Sequence, residues 1–359
     1  MKKNFLFKFS AIAMSLILIA CGGSTSEDVV ETETTAIESE ESLNVVVTTP
    51  MLGEFVKQVA GDSVVLDVLM PAEADPHTYD PSPQDAAKIS DADIVLYVGI
   101  KYETSSLLKL IENTASTNAT LLEIGEEIDP IEFKDGEHDH GNHDDHDEEG
   151  HDDDKDHDHD DEEGHDDHDD EGHEGHEGHD HGSEDPHFWF DPVRVAMAVE
   201  VIKDSLVSLD PANTSTYEAN ADNFISELTD LDAQVKELIE SVSEDNRKIV
   251  TTHEALGYLE ARYGIEVFAT IIPSLTTTDE ISPSQIADVI DVIEDNNIKV
   301  LFVESEAPSV YAETVAAEAG ITAVTGLYVE TLKDGQTYSD FLISNVTLIV
   351  ESLNSAGEG

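Results

Sequence analysis

The sixteen histidines of this 359-residue chain fall into two groups with different surroundings. Thirteen lie in an acidic tract between Asp135 and Asp185, whereas His77, His187 and His253 are spread singly through the remainder. Imidazole is the commonest protein ligand for zinc. The distribution therefore predicts one segment that gathers metal and three separate residues that hold it.

Each of the three single histidines lies beside the end of a predicted element. His77 occupies a proline-rich loop after a predicted strand at Val64–Leu69, and His187 shortly precedes a predicted helix. His253 follows a predicted strand that ends at Thr252. Loops at the carboxyl ends of parallel strands are where α/β folds bind ligands. One such histidine alone would usually be an ordinary core or surface residue, but three in these positions predict a shared metal site.

The acidic tract carries 27 acidic residues and a single lysine, and it contains almost no apolar side chains. Such a segment cannot form a core, so residues 135–185 are predicted to be a disordered, solvated loop. Paired histidines with flanking carboxylates predict weak zinc capture at several places along the tract. The pairs are formed by His138, His140, His157, His159, His179 and His181. The alternative is that the tract is only an acidic, soluble spacer.

The composition limits the partners and the chemistry. A net charge of -64 with only 17 Lys+Arg residues argues against nucleic acid as a partner and favours cations. Cys21 is the single cysteine, which rules out an internal disulfide and a cysteine-rich zinc site.

The first residues have the pattern of a bacterial secretion signal, predicted to span residues 1–20. Lysines precede an apolar stretch at Phe9–Ala20, which is short for a membrane span. The ending Leu18-Ile19-Ala20-Cys21 resembles a bacterial lipobox, which implies acylation of Cys21 and anchoring to a membrane surface. An ordinary secretory signal with an incidental cysteine is the alternative. Residues 21–43 are predicted to form a disordered tether, so the mature protein is expected to be extracytoplasmic and lipid-anchored.

Strands and helices alternate from Asn44 onward, which predicts an α/β fold with two domains. Each domain is expected to contain a mostly parallel sheet flanked by helices. The predicted boundaries are 44–213 for the N-terminal domain, 214–246 for a linking helix and 247–359 for the C-terminal domain. Ser-Pro pairs at Ser82 and Ser282 predict one helix start in each half.

The linking helix is predicted from its apolar stripe and its length. Ser215–Glu218 fits a capping box, and the helix is expected to run from Thr216 to Ser243. At about 1.5 Å per residue it would be about 42 Å long, enough to join both domains rigidly. Asp191 and Pro192 predict the start of a shorter helix before it.

The sequences around the three single histidines resemble the ligand motifs of the metal-binding solute-binding proteins of ABC transporters. The motifs are Pro76–Pro83, Pro186–Pro192 and Thr252–Tyr258, in the same order as in that family. The acidic histidine-rich loop between the first two resembles the zinc branch. The resemblance implies two α/β domains joined by a rigid helix, with one metal ion in the cleft. It also implies a monomer that delivers metal to a membrane permease driven by a separate ATPase.

The third motif bears on the metal. The resemblance implies that members favouring manganese usually have a glutamate at this position and an aspartate as the fourth ligand, whereas this chain has His253. Three imidazoles suit zinc, whereas manganese prefers more oxygen ligands. Some zinc-branch relatives use a glutamate in the loop after the last strand, and Glu330 lies in a comparable place. The fourth ligand is therefore Glu330 or water. Transport of manganese or iron is the alternative within the family.

Two other functions compete with metal capture. Three histidines with an open fourth position could hold a zinc-activated water, as in hydratases and hydrolases. However, Gly257 stands where a His-Glu-x-x-His helix would need its second histidine, and a site closed by Glu330 leaves no room for substrate. A surface adhesin is the third possibility, but the sequence offers no aromatic or basic patch for it.

Overall fold

A computed structural model describes residues 42–132, 184–272, 274, 277–278, 281–306 and 310–357. The predicted signal segment, Cys21 and the tether up to Glu41 lie outside these residues, as do the six paired histidines of the acidic tract. Predictions about them therefore stay predictions. Glu132, just before the tract, and Glu184, near its end, form an antiparallel bridge. Glu184 and the buried Asp185 therefore do not belong to a solvated loop, and the predicted boundary at residue 185 is wrong at this end. Among the described helices, none is both long and apolar enough to cross a membrane.

The first half of the chain alternates strands and helices, as predicted. Its elements are β1 (Leu43–Val47), α1 (Pro50–Ala60), β2 (Val64–Val68), α2 (Pro83–Asp91), β3 (Ile94–Tyr97), α3 (Ser105–Thr114), β4 (Thr120–Glu123) and α4 (Pro192–Leu209). The first strand begins at Leu43, one residue before the predicted domain start. Ser82 caps α2 by accepting from the Asp85 N–H, and the Asp85 side chain accepts from the Ser82 N–H at 2.7 Å.

The second half repeats the same alternation. Its elements are α5 (Thr214–Glu240), β5 (Lys248–Thr251), α6 (Gly257–Tyr263), β6 (Glu266–Thr270), α7 (Pro283–Asp295), β7 (Val300–Glu304), α8 (Val310–Ala319), β8 (Thr322–Leu327) and α9 (Tyr338–Gly357). The predicted start of α7 is confirmed, since Ser282 forms a capping box with Gln285. Gly320 follows α8 with a φ of 68°, a left-handed conformation that glycine adopts without strain.

The described strands form two four-stranded sheets, and every pairing between neighbouring strands is parallel. The strand orders are β2-β1-β3-β4 and β6-β5-β7-β8, so the two halves share one topology. In each sheet the first strand, β1 or β5, has the second strand on one side and the third and fourth on the other. The direction of the chain across the sheet therefore reverses beside the first strand. The carboxyl ends of the strands there open the crevice in which such folds bind ligands.

The long helix α5 begins and ends elsewhere than predicted. A 3-10 turn at Pro211–Asn213 leads directly into it, and no side chain caps its first turn. The predicted capping box at Ser215–Glu218 is therefore wrong, because Ser215 lies inside the helix. Asp210 instead fixes this entry by accepting from the Asn213 amide and the Tyr217 hydroxyl, both at 2.7 Å. The 27 residues of α5 span about 40 Å and end at Glu240 rather than Ser243.

One continuous hydrophobic core joins the two sheets and the helices between them. The ring of Phe55 in α1 lies 5.4 Å from the ring of Tyr338 in α9, and Phe190 lies 5.7 Å from Phe341. These contacts pack the last helix of the chain against elements from the first half. A large apolar interface restricts relative motion of the two halves, so the fold provides a rigid frame for the crevice.

Polar contacts reinforce the same interface. Arg262 of α6 forms a bidentate pair with Asp232 of α5, with N–O distances of 2.6 and 2.8 Å. The same guanidinium lies 3.1 Å from Asp191, which caps the start of α4 as predicted. The ion pair with Arg262 therefore fixes the first turn of α4 against the second half. His187 lies four residues before Asp191, so its backbone is held close to the same contact.

Candidate metal centre

Four side chains converge in the crevice between the two sheets. They are His77, His187, His253 and Glu330, and one ligand atom from each lies within 4.8 Å of all the others. The Glu330 carboxylate lies 3.4 Å from the Nε2 of His77, 3.5 Å from that of His187 and 2.8 Å from that of His253. The structure thus brings together the four residues that the sequence suggested as ligands, including Glu330, for which water was the alternative.

Apart from their contacts with one another, the converging atoms have no hydrogen-bond partner in the part of the chain that the structure describes. They are the Nε2 atoms of the three histidines and both carboxylate oxygens of Glu330, and all are buried. Buried polar atoms without a partner are rare in native proteins and call for an explanation. A bound cation would satisfy all of them at once. Three imidazole nitrogens with one carboxylate form a donor set that suits a four-coordinate transition metal.

The four residues reach the centre from the carboxyl ends of strands and from one helix start. His77 lies in the loop between β2 and α2, where the Asp75 carboxylate accepts its backbone N–H at 2.9 Å. His253 follows β5 and Glu330 follows β8, whereas His187 precedes the turn that leads into α4. The parallel topology therefore explains why residues that are distant in sequence meet here.

Two carboxylates orient two of the imidazoles. Asp185 lies 2.8 Å from the Nδ1 of His187 and also accepts the backbone N–H of His187 at 2.8 Å. Glu304, at the end of β7, bonds the Nδ1 of His253 and accepts its backbone N–H at 3.1 Å. A carboxylate on one ring nitrogen fixes the tautomer and directs the other nitrogen towards a metal. Sequence reasoning missed both residues and assigned Asp185 to the acidic tract.

The Thr252–Tyr258 motif also positions Asp185. The Asp185 Oδ2 atom would lie 2.5 Å from a β-carbon at Gly257, so a larger residue would displace this carboxylate. The Tyr258 hydroxyl donates to the Asp185 carbonyl at 3.0 Å. The motif therefore supplies His253 as a possible ligand and also the space and the anchor for the carboxylate that orients His187.

Aromatic side chains from the first half enclose the centre and hold the Glu330 loop. The Tyr102 hydroxyl donates to the Glu330 carbonyl at 2.8 Å, and its ring lies 5.4 Å from the His77 ring. The Trp189 Nε1 donates to the Val329 carbonyl at 2.7 Å. His187, His253 and Glu330 are each fully buried. This enclosure suits an ion rather than a larger substrate.

Opposite charges shift the pKa values of three of these residues. Burial disfavours a charge on His187, but Glu330 and Asp185 outweigh it and raise the pKa of His187 to about 9. Glu304 and Glu330 likewise outweigh burial and raise the pKa of His253 well above its usual value. Burial opposes ionisation of Glu330, but His187 and His77 lower its pKa well below the usual range. Without metal, protons therefore occupy imidazoles that a metal needs in neutral form.

Two parallel-sheet lobes with a buried histidine–carboxylate cluster at their crevice define a metal-binding solute-binding protein. Comparison with known proteins identifies the family: residues 45–352 match the sequence profile described as ZnuA, zinc-uptake complex component A, periplasmic. The chain belongs to this family. It is therefore an extracytoplasmic metal-binding component of an ABC transporter and not an enzyme.

Individual relatives differ in the metal for which they are named. The chain is 28% identical to the high-affinity zinc uptake system protein ZnuA of Bacillus subtilis, over 98% of this chain and 99% of that protein. It is 26% identical to the manganese-binding lipoprotein MntA of Halalkalibacterium halodurans, over 98% of this chain and 99% of that protein. The solved structure of the periplasmic zinc-binding protein TroA from Treponema pallidum shares the fold. It aligns with a TM-score of 0.68 and 22% identity, over 86% of this chain and 98% of that one.

Proposed function

We propose that this protein captures zinc outside the cytoplasm and delivers it to the permease of an ABC transporter, with a separate ATPase subunit driving import. The observation that carries the proposal is the buried convergence of three imidazole Nε2 atoms and one carboxylate, none of them hydrogen-bonded to any other described residue. His77, His187, His253 and Glu330 are the proposed ligands. Glu330, rather than water, is proposed as the fourth because its carboxylate already lies among the three rings.

The donor set supports zinc over manganese or iron. Zinc favours four ligands and accepts imidazole nitrogen readily, whereas manganese favours six ligands that are mostly oxygen. The third donor is the Nε2 nitrogen of His253, and Glu304 orients this ring through its contact with Nδ1. Because relatives are named for both metals, the choice rests on these donors. Competition titration of the purified protein with both metals tests it, and tighter binding of manganese would contradict the proposal.

The acidic tract and the N-terminal cysteine complete the proposed function. We infer that the tract captures zinc weakly through its histidine pairs. Among the described residues beside those pairs, Glu184 is bridged to Glu132, and the adjoining Asp185 contacts the His187 ring. Acylated Cys21 is proposed to anchor a monomer to the membrane. A Cys21→Ala variant that stays in the membrane fraction after extraction would contradict the anchor.

Metal analysis of alanine variants tests the ligands directly. His77→Ala, His187→Ala, His253→Ala and Glu330→Ala are each expected to lose the tightly bound zinc that survives dialysis. Glu313→Ala, at an exposed position on α8, provides a matched control and should keep it. Full zinc retention by any of the histidine variants would contradict its assignment. If Glu330→Ala keeps its zinc while the histidine variants lose it, the fourth ligand is water and not Glu330.

A further inference from the structure

Glu306 lies two residues beyond Glu304, and its carboxylate faces the backbone of the loop that carries Glu330. Its Oε1 atom accepts the backbone N–H groups of Val329 at 3.1 Å, Glu330 at 3.2 Å and Thr331 at 3.4 Å. Successive N–H groups that point at one oxygen form a concave anion-binding turn. The carboxylate of Glu306, two residues after the end of β7, therefore holds the backbone of this loop in place.

Two backbone carbonyls of the same loop accept hydrogen bonds from aromatic side chains of the first half. Tyr102 bonds the Glu330 carbonyl, and Trp189 bonds the Val329 carbonyl. In contrast, apart from its contacts with the three imidazoles, the Glu330 carboxylate has no hydrogen-bond partner among the described residues. Its position therefore depends on the backbone of its own loop, to which Glu306 contributes the acceptor for the N–H groups.

The spacing of two carboxylates explains how one strand end supports two proposed ligands. Glu304 bonds the His253 ring, and Glu306 bonds the Glu330 loop. Glu304 is the last residue of β7, and Glu306 lies in the bend that follows it. The end of one strand therefore brings both carboxylates close to the proposed ligands. The second Glu306 oxygen is buried and has no partner within the described residues. A polar group kept at such a cost, beside a binding site, indicates a functional role.

We propose that Glu306 is a positioning residue that fixes the Glu330 carboxylate for a four-coordinate ion and thereby favours zinc over manganese. This inference rests on the proposed zinc function. A carboxylate on a fixed backbone keeps the short, single-oxygen geometry that zinc accepts. It cannot easily move aside for the additional oxygen ligands that manganese prefers. Functional geometry must be held within about 0.5 Å, so a small shift of this loop should alter the discrimination.

A pair of substitutions separates the position of the acceptor oxygen from its charge. Glu306→Gln keeps an oxygen at the same reach, whereas Glu306→Asp keeps the charge but withdraws the oxygen by one methylene. We expect Glu306→Asp to weaken zinc binding about 10–100-fold, as is typical when a ligand's support is lost. Manganese binding should change by less than about threefold, so the zinc-to-manganese ratio falls. Glu306→Gln should stay within about threefold of the wild type for both metals.

The control is Glu313→Asp, the same substitution at an exposed position on α8, and it should leave both affinities unchanged. Both dissociation constants are measured by chelator competition on the full-length protein. The inference is overturned if Glu306→Asp binds zinc like the wild type or loses both metals equally. It is also overturned if Glu306→Gln loses as much zinc affinity as Glu306→Asp. A wild-type preference for manganese would instead overturn the proposed zinc function itself.

Discussion

Zinc binding at the centre should release protons, and the number follows from the charges around the imidazoles. With a pKa of about 9, His187 is almost fully protonated at pH 7 in the metal-free protein. The raised pKa of His253 has the same consequence, whereas Glu330 is ionised and has no proton to release. Because zinc binds only the neutral imidazole, we expect about two protons to leave at pH 7.

The direction of the pH dependence follows from the same shifts. Both histidines have raised pKa values, so protons compete with zinc at every pH below about 9. Each displaced proton changes the zinc affinity about tenfold per pH unit, or about 1.4 kcal/mol. Two protons should therefore weaken zinc binding about 100-fold for each unit by which the pH falls between 8 and 6.5.

Calorimetry in buffers with different ionisation enthalpies counts the released protons. The tight site is isolated by using a chain that lacks Gly136–Gly182, since the tract histidines would release protons of their own. Asp185→Asn is a matched variant, because it keeps the shape of the side chain but removes a charge that raises the pKa of His187. The proton count for this variant at pH 7 should fall towards one. A wild-type count near zero, with a flat affinity between pH 6.5 and 8, would refute the reasoning.

Three further predictions concern the tract, the support of one ligand and the frame. Removal of Gly136–Gly182 should leave one tight zinc site and abolish the weak ones, because Glu132 and Glu184 on either side of the removed residues already pair with each other. Loss of the tight site in a calorimetric titration would contradict this. Glu304→Gln should weaken zinc binding about 10–100-fold by loosening the His253 ring, and an unchanged chelator competition would argue against that support. Phe55→Ala should lower the free energy of unfolding by about 3–5 kcal/mol, since its fully buried ring packs on Tyr338 across the two halves. A loss below about 1 kcal/mol in a urea titration would show that the shared core is not a rigid frame.

The sequence was most informative where local chemistry was distinctive. Apolar runs predicted β2 and the end of β5 to within one residue, because parallel strands covered by helices need such runs. The strands β4 and β6 were missed, since they are partly exposed and carry polar residues. The predicted capping box of α5 failed because Asp210 and its tertiary contacts determine where that helix begins.

The supporting carboxylates could not be distinguished by sequence in a chain with 81 acidic residues. Asp185, Glu304 and Glu306 differ from the other acidic residues only in what they contact after folding. The three single histidines were recognisable because they are rare outside the tract and lie at element ends. The docking of α9 against the first half depends on contacts between residues far apart in sequence, which no local pattern reports.

Three histidines and Glu330 are proposed to bind one zinc ion with four ligands. X-ray absorption at the zinc edge tests this most directly on zinc-loaded protein lacking Gly136–Gly182. We expect three imidazole nitrogens at about 2.0–2.1 Å and one oxygen at about 2.0–2.2 Å from the zinc. In Glu330→Ala, the carboxylate contribution should disappear. A six-coordinate shell made mainly of oxygen, or a spectrum with fewer than three imidazoles, would contradict the account.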